Sequence, residues 1–182
     1  MIFFISGGAR SGKSQFAEQT ALSYFYQMKE ENHRVSLHYI ATAKKSDDEM
    51  AERIRIHQHD RGETWHTIEE YFHLEPILSK FKKGDVILID CLTIWVSNVM
   101  FEHTRTMEEM EERVNRWLSI AREKQFHLLL VSNDVNEGIP PIDDVVQRYM
   151  YALQRLHSMI VQQSDIAVQV QAGIPLYWKG EI

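Results

Sequence analysis

The chain has 182 residues, 44% of them hydrophobic, enough for one sizeable core, and this length favours a single domain spanning 1–182. Its 20 Lys and Arg against 26 Asp and Glu leave a formal net charge of −6, a field that repels polyanions, so nucleic acid is not an expected partner. The lone cysteine, Cys91, excludes an intramolecular disulfide. The start lacks the basic residues and cleavage site of a secretory signal, and the longest apolar runs, IFFI and VILI, are too short to span a bilayer, so a cytoplasmic protein is expected.

Residues 2–6 read as a wholly apolar strand of the kind covered on both faces of a sheet. GGARSGKS at 7–14 follows at once and matches G-x-x-x-x-G-K-[ST], with a helix expected over 13–31, which is the context the motif demands. In such a loop the backbone N–H groups of Gly7, Gly8, Ala9, Arg10, Ser11 and Gly12 close around phosphate oxygens at a helix N-terminus. Lys13 reaches the outer phosphates and Ser14 offers a hydroxyl to Mg2+. A glycine-rich turn that binds nothing is the competing reading, and the flanking elements argue against it.

A strand is expected over 35–41. Ser46 and Glu49 then stand at capping-box spacing, with Asp47 and Asp48 in the first turn, so a helix is expected over 46–61. Met50, Ile54, His57 and Arg61 share one of its faces. Arg53 and Arg61 lie one turn to either side of His57, which disfavours protonation of the imidazole and suits a nucleophile that attacks phosphorus. Spacing alone nevertheless favours a structural histidine. His57 and His59 diverge on a helix and make a poor metal pair.

A helix over 72–82 precedes the strand VILID at 86–90, whose carboxyl end carries Asp90, the position where open α/β sheets bind ligands. Asp90 is therefore the candidate metal-side carboxylate beside Ser14, its alternative being a cap on the next helix. Cys91 reads as a small buried residue rather than a nucleophile. Helices over 106–125 and 143–163 flank a strand over 127–132 and a loop containing Pro140 and Pro141. Trp95 and Trp117 fall in helical segments and read as core or subunit contacts. A strand over 166–171 and the tail that turns at Gly173 and Pro175 form a closing hairpin. The alternation predicts a three-layer α/β fold of the RecA-like P-loop NTPase type, with a mostly parallel sheet and one antiparallel edge strand.

Six motifs occur in order: GGARSGKS at 7–14, YIATA at 39–43, DDEM with R-I-x-x-H at 47–57, WHTIE at 65–69, LIDCLTIWVSN at 88–98 and VSNDV at 131–135. In this set, from about residue 2 to residue 179, the chain resembles the bifunctional adenosylcobinamide kinase/adenosylcobinamide-phosphate guanylyltransferases of cobalamin biosynthesis. The resemblance implies phosphorylation of adenosylcobinamide by GTP or ATP, then transfer of GMP from GTP to that phosphate. It implies Mg2+, a homotrimer, and catalytic roles for Lys13 and for His57, which would carry GMP as a phosphoramidate. It also implies nucleotide contacts from Ala41, Thr42, Ala43, Gln58, His59, Asp60, Arg61, Glu69 and Asp90.

The chain departs from the family pattern in its C-terminal third. NDVNEGIPP stands for N-E-V-G-x-G-I-V-P, and after Arg148 the usual F-R-D-x-x-G-x-x-N-Q becomes Met150, Tyr151, Ala152, Gln154, His157 and Ser158. Guanylyl transfer is thus expected to be retained, with the kinase step left open. Two other readings stand beside this one: a P-loop kinase of another small hydroxyl substrate, which needs no His57, and a catalytically inactive nucleotide-binding regulator.

Overall fold

Every residue of β1 (Ile2–Gly7) except Ser6 is buried, and its side chains alternate between two cores. Ile2 and Phe4 enter one, Phe3 and Ile5 the other, as expected of a strand with helices on both faces. The computed structural model describes residues 1–31, 34–44, 64–103, 105–135 and 142–181. The expected helix over 46–61, with His57, Gln58, His59, Asp60 and Arg61, lies outside the described residues.

The other strands are β2 (Leu37–Ala41), β3 (Trp65–Glu69), β4 (Val86–Asp90), β5 (His127–Asn133), β6 (Ile166–Gln171) and β7 (Ile174–Lys179). They form one seven-stranded sheet in the order β3-β2-β4-β5-β1-β6-β7. All neighbours are parallel except β6 and β7, the hairpin at the edge. Helix α1 (Lys13–Glu31) covers one face with Ala17, Ala21 and Phe25. The short α2 (Glu75–Leu78), α3 (Leu92–Glu102), α4 (Met107–Lys124) and α5 (Asp144–Gln163) cover the other. This is the expected three-layer architecture.

Local signals account for the helix limits. Thr106 and Glu109 form a complete capping box at the start of α4, and Gln125 ends it in the left-handed region at φ 59°. Asp143 caps α5 by accepting from the N–H groups of Val145 and Val146. Trp95 and Trp117 meet edge to face in the core at 4.5 Å between centroids, so both are core residues. The helix expected over 72–82 contracts to the single turn of α2, opened by Pro76. Beyond it the chain turns, with Asp85 accepting from the N–H of Lys82 and of Ser36. Among the described residues no helix is long and apolar enough to cross a membrane.

Candidate active site

The carboxyl edge of the parallel strands gathers the sequence motifs. β1 ends at Gly7, where a side chain is sterically impossible: a Cβ would come within 2.5 Å of both Ser11 Oγ and the Val170 carbonyl. Gly12, at φ 91°, adopts a conformation that favours glycine, and a Cβ there would stand 3.2 Å from Gly173 Cα. Inside the loop Ser11 N–H donates to the Gly8 carbonyl at 3.3 Å, and Phe16 N–H to the Gly12 carbonyl at 3.0 Å as α1 begins. Two braces come from outside: Asp134 N–H donates to the Gly7 carbonyl at 3.0 Å, and Gly173 N–H, in the β6–β7 turn, to the Ser11 carbonyl at 2.8 Å. Ala9 and Arg10 form the exposed crest, and Ser14 is half-buried.

Two groups in this loop are arranged for an anion. Lys13 is only 9% exposed, and among the described residues its Nζ has a single partner, the Gly8 carbonyl at 3.1 Å, with no carboxylate. An enclosed ammonium held by one carbonyl is poorly compensated and favours a phosphate oxygen. Ser11 Oγ is likewise buried with no hydrogen-bond partner among the described residues.

Across β5 lies the second half of the site. Strand register puts Glu69, Ala41 and Asp90 on one rung at the ends of β3, β2 and β4. The Tyr39 hydroxyl donates to Asp90 Oδ2 at 2.7 Å and fixes the carboxylate. Thr42 is fully buried; its hydroxyl donates to the Cys91 carbonyl and accepts from Cys91 N–H, each at 2.8 Å, while its own N–H donates to the Asp90 carbonyl at 3.1 Å. Asn98 Nδ2 donates to the Thr42 carbonyl at 2.9 Å. Thr42 therefore braces the Asp90–Cys91 segment with its side chain, and Ala43 is half-buried beside it. Glu69 is exposed and accepts from the Tyr71 hydroxyl at 3.1 Å. Burial, with Asp90 adding to it, pushes the Cys91 thiol up to about 12, which is the property of an inert core residue.

The structure thus brings Gly7–Ser14, Ala41–Ala43, Glu69 and Asp90 to one edge. The sequence reading missed Tyr39, Thr93, Ser132, Asp134, His157 and Gly173, which support them. Tyr39 pairs with Leu88, which shares a strand face with Asp90 two residues on, a register set by the tertiary fold and not written along the chain. Ser14 and Asp90 offer a hydroxyl and a carboxylate, the hard oxygen donors that Mg2+ prefers. Among the described residues no group of three His, Cys, Asp or Glu could hold a metal alone. A divalent ion here would draw its remaining ligands from phosphate and water.

Comparison with known proteins places the chain among relatives of shared length. The profile of the family described as cobinamide kinase / cobinamide phosphate guanyltransferase matches residues 3–178. The bifunctional adenosylcobalamin biosynthesis protein CobP of Pseudomonas aeruginosa is 33% identical over 179 residues, covering 97% of this chain and 96% of the relative. The bifunctional adenosylcobalamin biosynthesis proteins CobU of Escherichia coli and Salmonella typhimurium are 27% and 26% identical, each over 96% of this chain and 97% of its own length. With the family profile spanning residues 3–178 and a relative 33% identical over 97% of this sequence, the chain belongs to the cobinamide kinase / cobinamide phosphate guanyltransferase family.

Proposed function

We propose that the chain carries out both steps for which its family is described. The terminal phosphoryl group of GTP or ATP passes to the aminopropanol hydroxyl of adenosylcobinamide. GMP then passes from GTP to the new phosphate, releasing pyrophosphate and leaving adenosylcobinamide-GDP. The observation that carries this reading is the enclosed Lys13 ammonium, held among the described residues by one carbonyl, on the same sheet edge as Asp90.

In guanylyl transfer the proposed nucleophile is His57. An imidazole nitrogen forms a P–N bond to the α-phosphorus as the bond to pyrophosphate breaks, and an oxygen of the cobinamide phosphate then displaces the histidine. The R-I-x-x-H motif and the flanking Arg53 and Arg61 support this assignment. Gln58, His59, Asp60, Arg61, Glu69 and Ala41–Ala43 are proposed to surround the nucleotide, with Ser14 and Asp90 on the metal side. Bound Mg2+ would neutralise charge on the phosphates. The proposed assembly is a cytoplasmic homotrimer; the apolar residues exposed on β7, Ile174, Leu176, Tyr177 and Trp178, favour assembly with further copies.

Incubation with α-labelled GTP tests the reading. Acid-labile label is expected on the wild-type protein and absent from His57→Ala; equal labelling of both overturns the assignment. Phosphorylation of adenosylcobinamide from γ-labelled GTP, with no transfer of α-label, leaves a kinase alone. Tight GTP binding without turnover leaves a binding protein.

A further inference from the structure

Behind the carboxyl edge, on the face covered by α3 and α5, a polar thread runs through an otherwise apolar core. His157 Nε2 lies 2.7 Å from Ser132 Oγ, and Ser132 Oγ lies 3.0 Å from Thr93 Oγ1. Thr93 Oγ1 accepts the backbone N–H of Asn133 at 2.7 Å, and the Thr93 carbonyl accepts the Tyr149 hydroxyl at 2.9 Å. Ser132 and Thr93 are both buried, so neither hydroxyl can exchange its partner for bulk water. The His157 ring also lies against Phe4, 4.9 Å between centroids. Burial lowers its pKa to about 4, against a smaller opposing pull from Asp134. The imidazole is therefore neutral at pH 7, and Nε2 serves Ser132 as donor or acceptor according to tautomer.

The ends of the thread give it a function. Thr93 stands in the first turn of α3, three residues after Asp90. Asn133 immediately precedes Asp134, whose N–H holds the Gly7 carbonyl. The thread therefore ties the carboxylate side of the site to the phosphate side across β5. We infer that His157 is a positioning residue: through Ser132 and Thr93 it fixes the spacing between Asp90 and the phosphate loop, and with it the fit of a Mg2+–triphosphate pair. The inference rests on the nucleotide chemistry proposed above.

A double-mutant cycle on the full chain tests it, using His157→Phe, Ser132→Ala, the double variant and the conservative His157→Gln, whose amide reaches as far as Nε2. The readouts are GTP affinity in Mg2+ and in EDTA, and the melting temperature. Phe keeps the ring against Phe4 but cannot serve Ser132. His157→Phe and Ser132→Ala are each expected to weaken Mg2+-supported GTP binding by about 10-fold, and binding in EDTA by no more than about 2-fold. His157→Gln should recover to within about 3-fold of wild type, and the double variant should be no weaker than the poorer single one. Wild-type affinity in His157→Phe, equal losses with and without Mg2+, additivity in the double variant, or a His157→Gln no better than His157→Phe would each overturn it. Should His157→Phe fail to fold, Ser132→Ala and His157→Gln carry the same comparison. Wild-type protein that binds Mg2+–GTP but transfers no GMP sinks the guanylyltransferase reading and leaves the cycle intact. Wild-type protein that binds no GTP overturns both.

Discussion

Thr42 holds both the N–H and the carbonyl of Cys91 with one hydroxyl, at 2.8 Å each, from a position with no exposure to solvent. Those peptide groups carry the chain from Asp90 into α3. Thr42→Val preserves the shape and leaves the Cys91 N–H buried without a partner, whereas the Cys91 carbonyl keeps the Trp95 N–H at 3.1 Å, so a loss of about 1–3 kcal/mol is expected. Urea denaturation measures it; a loss under about 1 kcal/mol would mean that another group takes over.

The Tyr39 hydroxyl orients the Asp90 carboxylate at 2.7 Å. Tyr39→Phe removes that bond and little volume. On the proposed role of Asp90 beside Mg2+, a partner that orients such a ligand is worth about 10–100-fold in metal affinity or activity, so the Mg2+ concentration for half-maximal GTP turnover should rise by about 10-fold. An unchanged Mg2+ titration would show that Asp90 is held equally well by its backbone.

Burial lowers the pKa of both His127 and His157 to about 4, with the chain's N-terminal amine adding to the effect at His127. An unfolded histidine titrates near 6.5. Between those values the unfolded chain binds more protons than the native one, so stability is fully present above pH 6.5 and falls as pH drops toward 4. Urea midpoints measured from pH 7.5 to 4.5 should decline across this window, and His157→Gln should flatten the decline. A midpoint independent of pH in wild type would contradict the buried neutral state of both rings.

The legible parts of this molecule were those whose local pattern coincides with a tertiary requirement. β1, the glycines at 7 and 12 and the start of α1 announce themselves because close backbone approach or a positive φ excludes side chains at those glycines. The hairpin at Gly173 and the caps at Thr106 and Asp143 are equally local signals. β3 was not recognised as a strand: WHTIE sits at the sheet edge with His66, Thr67 and Glu69 exposed, so it lacks the apolar run of its neighbours. α3 was not assigned its span because it is apolar on nearly every side, and a helix enclosed all round has no polar stripe to mark its period. Within the site, Asp90 could be read from its place at a strand end, whereas the His157–Ser132–Thr93 thread joins three separate elements and has no signature along the chain.

The fastening of the phosphate loop by Gly173 sets an order of events during synthesis. The loop is made well before β5 and β6, with which its strand pairs, and its Ser11 carbonyl is held by a turn made later still. A growing chain therefore carries the complete motif long before it can hold the loop in its final shape. Pairings so distant in sequence also close slowly. The final shape of the loop therefore waits on the β6–β7 hairpin, about 160 residues further along the chain, and couples the two ends of the sheet edge during folding.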